Sequence, residues 1–135
     1  MHRPVRGLRV AALTCVAGLL ASCGGTGPDG VSVDFVVAVN DQTFVLRASD
    51  PDTIAASHAN LRGGNSRFPI GPLRRGDGGF NAPWSWHLDP DEARLVEAAI
   101  EVCDGEPNYV EAHLEDYLQV GSYCPWGGRI IAVKP

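Results

Sequence analysis

Apolar and polar positions along the chain fall into two rhythms. Val31 to Asn40 (VSVDFVVAVN) is β-branched and apolar, which predicts a strand. Asn40-Asp41 predicts a two-residue hairpin turn, because both residue types tolerate positive φ. Thr43 to Ala48 then predicts the returning strand, with Phe44 and Leu46 on one face. At three places a carboxylate precedes a proline: Asp50-Pro51, Asp89-Pro90 and Glu106-Pro107. Each predicts a helix start, since proline's fixed φ and missing N–H suit the first helical position. The first helix is expected to reach about Leu61, with Ile54, Ala55, His58 and Leu61 on one side. The second opens on a capping-box-like Asp89-Pro90-Asp91-Glu92 and carries Leu95, Val96, Ala99, Ile100 and Cys103 at helical spacing. The third carries Val110, His113, Leu114, Tyr117 and Leu118, and stops at Gly121.

Between the first two helices, Gly63 to Pro83 is rich in Gly, Pro, Asn and Arg. Phe68 to Leu73 reads there as an edge or irregular strand, because Pro69 and Pro72 cannot donate to a ladder. Trp84 to Leu88 alternates and reads as a strand, and Arg129 to Lys134 as the last one. The order predicts an α+β fold: a mostly antiparallel sheet of about four to five strands with three helices packed on it. There is no internal repeat.

The N-terminus has the parts of an export signal. Arg3, Arg6 and Arg9 are followed by the apolar run Val10 to Leu20, which is shorter than the roughly 20 residues a transmembrane helix needs. The run ends in Leu20-Ala21-Ser22-Cys23, which resembles the bacterial lipobox, with two small residues before a thiol that takes the lipid. The expected organisation is a signal peptide over 1–22, a lipidated Cys23 with a Gly-rich tether over 23–30, and one α+β domain over 31–135. A membrane contact through lipid on Cys23 follows from this, and an exported, envelope-anchored location with it. A plain secretory signal cut near Ser22 is the competing expectation.

From Cys23 onward the chain has eight basic residues against 16 acidic ones, a formal charge of −8. This balance argues against a nucleic-acid partner. The charges are segregated along the chain. Arg62, Arg67, Arg74 and Arg75 fall in a stretch without acids, whereas Asp89 to Asp116 contains ten carboxylates and one base, Arg94. Two cysteines remain beyond the lipid site, Cys103 and Cys124. In an oxidising compartment an even pair in a small domain is most simply a disulfide. Metal binding by the same two lacks both CxxC spacing and a neighbouring histidine.

Four runs carry a resemblance: Pro83-Trp84-Ser85-Trp86-His87-Leu88-Asp89-Pro90, Glu97-Ala98-Ala99-Ile100-Glu101-Val102-Cys103-Asp104, Tyr109-Val110-Glu111, and Tyr123-Cys124-Pro125-Trp126. Together they resemble a small domain at the N-terminus of a slime-mould developmental protein and in short exported bacterial proteins. The resemblance spans about Phe35 to Val133. It implies a compact exported domain, strengthens the Cys103–Cys124 pairing, and brings no reaction or catalytic residue with it.

Candidate chemistry is sparse. Ser85, His87 and Asp89 share one side of a predicted strand, but strand neighbours two apart sit about 6.5–7 Å from each other, too far for a nucleophile–base pair. No catalytic residue is therefore assigned. A zinc site from His58, His87 and His113 has no spacing to support it, and the acidic stretch lacks an EF-hand loop. No metal and no cofactor are expected. Arg75-Gly76-Asp77 is a triplet that arises by chance in Gly/Arg-rich loops. Trp84, Trp86 and Trp126 stand beside Gly/Pro-rich loops and can form a platform for a sugar or peptide, or fill the core. The leading expectation is a non-enzymatic binding domain for a protein or other envelope component, through the arginines of the 62–75 stretch. Carbohydrate or peptide binding on Trp84 and Trp86 stands second, and a small hydrolase using His87 third.

Overall fold

The computed structural model describes residues 30–99 and 102–135. The expected export signal, Cys23 and the tether up to residue 29 lie outside the described residues, as do Ile100 and Glu101. The elements run β1 (Val33–Val39), β2 (Gln42–Ala48), α1 (Pro51–Leu61), β3 (Phe68–Arg75), β4 (Trp86–Leu88), β5 (Arg94–Val96), α2 (Pro107–Ala112), α3 (Leu114–Val120), β6 (Ser122–Tyr123) and β7 (Arg129–Val133).

The fold is α+β, but its strands form two antiparallel sheets rather than one. The first has the order β2-β1-β7. Its hairpin turns at Asn40, whose φ of 53° is the left-handed conformation expected there, and the register sets Phe35 opposite Leu46 and Val37 opposite Phe44. In the second sheet β3 pairs with β4, β5 and β6. Strand β3 is thus the hub of its sheet, not an edge. Its prolines divide the pairing into short ladders, and they still supply carbonyls: Pro72 O accepts the Asp89 N–H at 2.9 Å.

Helix α1 starts as expected, with Asp50 accepting the Thr53 N–H at 2.8 Å. Its most buried positions, however, are Thr53, Ser57 and Asn60. Ile54 and Leu61 pack only at the margin of the core, and Ala55 is exposed. At Thr53 and Asn60 the buried polar side chains meet backbone groups, whereas the Ser57 hydroxyl is buried without a partner. Thr53 Oγ1 donates to Ala93 O, Asn60 Nδ2 to Arg67 O, and Asn60 Oδ1 accepts from Ile130 N.

The helix expected over residues 90–103 is absent among the described residues. Asp89 to Ala93 is one turn, closed by the Ala93 N–H to Asp89 O at 2.9 Å. The chain then extends as β5, pairing Arg94, Leu95 and Val96 with Ile70, Pro69 and Phe68. Ala93 and Leu95 are buried with Arg94 exposed between them, so a period of two wins over the helical one once β3 supplies partners. The third expected helix is broken at His113 into α2 and α3, and it ends at Gly121 in the left-handed conformation with φ 87°.

One core joins the two sheets. Phe35, Val37, Phe44, Leu46 and Ile130 of the first sheet pack with Leu73, Trp86, Leu88, Leu95 and Tyr123 of the second, and with Val110 and Tyr117 of α2 and α3. Asn81, wholly buried, links the sheets by hydrogen bonds: it accepts from Val45 N and donates to Trp86 O, both at 2.7 Å. A satellite cluster of Phe68, Ile70, Cys103 and Cys124 surrounds the Cys103–Cys124 disulfide, which is present as expected.

Candidate binding site around Trp126

The site begins with a turn. Pro125, Trp126, Gly127 and Gly128 form a four-residue turn closed by the Gly128 N–H to Pro125 O at 2.8 Å. A side chain at Gly128 would come within 2.9 Å of that carbonyl, so glycine is needed there for close approach. Trp126 occupies a corner of the turn and is 54% exposed. The turn itself is rigidly held. Its preceding residue is the bridged Cys124, whose N–H bonds to Cys103 O at 2.8 Å, and the Trp126 N–H donates to Asp104 Oδ1 at 2.9 Å. The Trp126 ring lies 6.5 Å from the Phe68 ring, tilted by 33°.

Two open concavities meet at this tryptophan. One, of about 390 Å³, is lined by Asn65, Ser66, Arg67, Gly127, Gly128 and Arg129, among others. The other, of about 310 Å³, is lined by Ser66, Phe68, Glu97, Ala98 and Ala99. Trp126 lines both.

The other tryptophans do not join it. Trp86 is completely buried, between Phe44 and Tyr123, and has no face to offer a ligand. Trp84 is half-buried, stacked on Trp86 at 6.0 Å, with its Nε1 donating to Thr43 O at 2.9 Å. The Trp84/Trp86 pair is therefore part of the core and its margin.

The arginines that stand together in the sequence are drawn apart by acids from other elements. Arg67 meets Glu97 at 3.4 Å, Arg74 meets Asp89 at 3.0 Å and Glu92 at 3.6 Å, and Arg75 meets Glu115 at 2.8 Å. Arg62 is exposed and pairs with no carboxylate among the described residues. The charge segregation of the sequence is thus largely cancelled in space.

The Ser85, His87 and Asp89 side chains are each held by a different partner. Ser85 Oγ bonds to Glu111 at 2.6 Å, His87 Nδ1 donates to Gly76 O at 2.7 Å, and Asp89 accepts from Arg74. Burial pushes the Asp89 carboxyl up, but the Asp91 N–H and the Arg74 guanidinium outweigh it and leave it below its ordinary value. His58 packs edge-on against Phe35, and His113, which the spacing sets with the apolar positions of the third helix, is exposed and stacked on Tyr109 at 4.0 Å. No group of His, Cys, Asp and Glu among the described residues is placed to hold a metal ion. Arg75-Gly76-Asp77 is built into a turn in which Asp77 accepts from the N–H groups of Gly79, Phe80 and Asn81.

The residues that sequence reasoning missed are Ser66, Gly127, Gly128 and Arg129. The Pro-Trp-Gly-Gly run was the available signal, as a turn that sets an aromatic at its corner. The fold and this site define a small, disulfide-bridged α+β domain with an exposed aromatic ridge between two grooves. The chain belongs to the BP-74 N-terminal domain family, whose family model matches residues 31–135. That agrees with the resemblance carried by the tryptophan- and cysteine-containing runs. Comparisons with curated proteins and with solved structures returned no match.

Proposed function

We propose that the protein is exported, is held at the cell envelope by lipid on Cys23, and acts as a non-enzymatic binding domain through the face around Trp126. The observation that carries the binding reading is a large aromatic side chain, 54% exposed, fixed on a disulfide-anchored turn between two concavities. An aromatic held this rigidly contributes contact area at little cost in conformational entropy.

The strand directions set the Trp126 turn apart from the N-terminal end at which such an anchor would attach. Strand β1 leaves the tether at Val33 and runs to Val39, a rise of roughly 20 Å at about 3.3 Å per residue. Strand β7 is antiparallel to it, with Arg129 opposite Ala38 near the far end. The Pro125–Gly128 turn thus lies at the end of the sheet away from the tether. A lipid on Cys23 would attach at the opposite end of β1 and so leave the face around Trp126 clear of the attachment point.

Two measurements test the reading. Cys23→Ser should abolish palmitate labelling and release the protein from the membrane fraction; native protein beginning at Ser22 without lipid would overturn the anchor. The soluble chain from Gly24 to Pro135 should co-sediment with isolated envelopes, and Trp126→Ala should weaken this at least tenfold while leaving the fold intact. Unchanged sedimentation of a folded Trp126→Ala protein would overturn the binding face.

A further inference from the structure

We infer that the larger groove beside Trp126 takes an acidic saccharide, with one sugar ring on the indole and its carboxylate at Arg129. The inference rests on the reading of Trp126 as the centre of the binding face and adds the chemistry of the ligand.

Charge is the first argument. From Cys23 onward the protein carries eight basic residues against 16 acidic ones. Four of the cations are paired within the fold: Arg47 with Asp34, Arg67 with Glu97, Arg74 with Asp89 and Glu92, and Arg75 with Glu115. Arg62, Arg94, Arg129 and Lys134 meet no carboxylate among the described residues. Of these, Arg129 lines the larger groove, and Arg62 stands in the chain between two residues that line it, Leu61 and Gly63. Arg67 also lines it, and no carboxylate does. On an acidic body this groove thus holds one arginine, Arg129, that no carboxylate among the described residues neutralises, and a guanidinium matches a carboxylate in a two-point geometry.

Shape is the second argument. The groove is about 390 Å³, near the small end of the roughly 300–1,000 Å³ that small-molecule sites occupy. That suits one or two sugar rings. The Trp126 ring is 54% exposed and lines the groove, so it offers apolar ring surface, which suits the C–H face of a pyranose. Ser66, on the wall shared with the second groove, adds a hydroxyl for a sugar hydroxyl. An acidic saccharide uses both features at once, its carboxylate at the Arg129 guanidinium and a ring face on the indole.

The test uses the soluble chain from Gly24 to Pro135 with oligomers of galacturonate, hyaluronan and alginate, and with neutral dextran and polyglutamate for comparison. Binding is read by calorimetry and by tryptophan fluorescence. At least one acidic saccharide should bind, with affinity falling as salt rises. Trp126→Ala and Arg129→Gln should each weaken it tenfold or more, and Arg94→Gln should leave it unchanged. Failure of all three acidic saccharides to bind overturns the inference, as does equal binding of dextran or of polyglutamate. If that happens while Trp126→Ala still loses envelopes, the binding face stands and only the ligand class falls.

Discussion

Asn81→Ala should be among the most damaging single substitutions outside the apolar core, because one side chain serves both sheets. Its Oδ1 accepts from Val45 N and its Nδ2 donates to Trp86 O. Asn81 and Trp86 are both fully buried and Val45 is only 9% exposed. Truncation leaves a backbone donor and a backbone acceptor without partners in a space water reaches poorly. Each such group costs about 1–3 kcal/mol, so the loss should be about 2–6 kcal/mol against a total stability of about 5–15 kcal/mol. Taking about 3 kcal/mol and a urea m-value of about 1–1.5 kcal/mol per molar, the unfolding midpoint should fall by roughly 2–3 M. Asn81→Asp sharpens the test. It keeps the acceptor for Val45 but sets a carboxylate oxygen against the Trp86 carbonyl, so it should be at least as harmful at neutral pH. It should recover in part when acid protonates the carboxyl and restores a donor. A loss below about 1 kcal/mol for Asn81→Ala, the value of an ordinary solvated hydrogen bond, would refute the claim that these bonds join the sheets.

Three further outcomes are expected. Replacing Cys103 and Cys124 by serine opens a link across 21 residues and should cost about 2–5 kcal/mol. Alkylation of unfolded, non-reduced protein followed by mass spectrometry should find neither cysteine free. Gly105 has φ 154°, and a side chain there would overlap the Tyr117 hydroxyl. Gly105→Ala should therefore cost about 2–4 kcal/mol, and Tyr117→Phe in the same chain should return part of it in a double-mutant urea series. The pH profile of the urea midpoint should fall at both ends. The Thr53 N–H and hydroxyl hold the Asp50 carboxyl below its ordinary value, as the bonds at Asp89 do there. Their stabilisation is complete above the unfolded carboxyl value of about 3.9 and is lost as pH falls through the lower folded values. Burial raises the Tyr117 and Tyr123 hydroxyls, so their stabilisation holds below about pH 10 and is lost as pH rises through the folded values. Asp50→Asn, which keeps the cap, should flatten the acid limb.

Elements with self-contained local signals are legible in the sequence. Asp50-Pro51 caps α1, Asn40-Asp41 turns the hairpin, Gly121 stops α3, and Cys103 meets Cys124. The segment after Asp89 reads as a helix because Leu95, Val96 and Ala99 satisfy a helical period until a partner strand is present. That partner, Phe68 to Ile70, lies nearly thirty residues away and is itself discounted for its prolines. The inner face of α1 misleads for a related reason. Thr53 and Asn60 are buried by hydrogen bonds to distant backbone, which hydrophobic spacing does not register. Of the candidate site, Trp126 is visible as an aromatic beside glycines. Its companion Arg129 is not, because it stands apart from the arginine-rich stretch and reaches the groove only through the path of β7.

The first sheet also differs from an open ribbon in how its outer strands finish. On β2 the Val45 N–H is occupied by Asn81 and the Thr43 carbonyl by the Trp84 indole. On β7 the Ile130 N–H is occupied by Asn60. Exposed strand edges act as templates for another chain, and native proteins blunt them. Here the blunting is done by three side chains from loops and a helix, each filling a backbone position that a foreign strand would otherwise take. A second copy brought alongside would find those positions already taken.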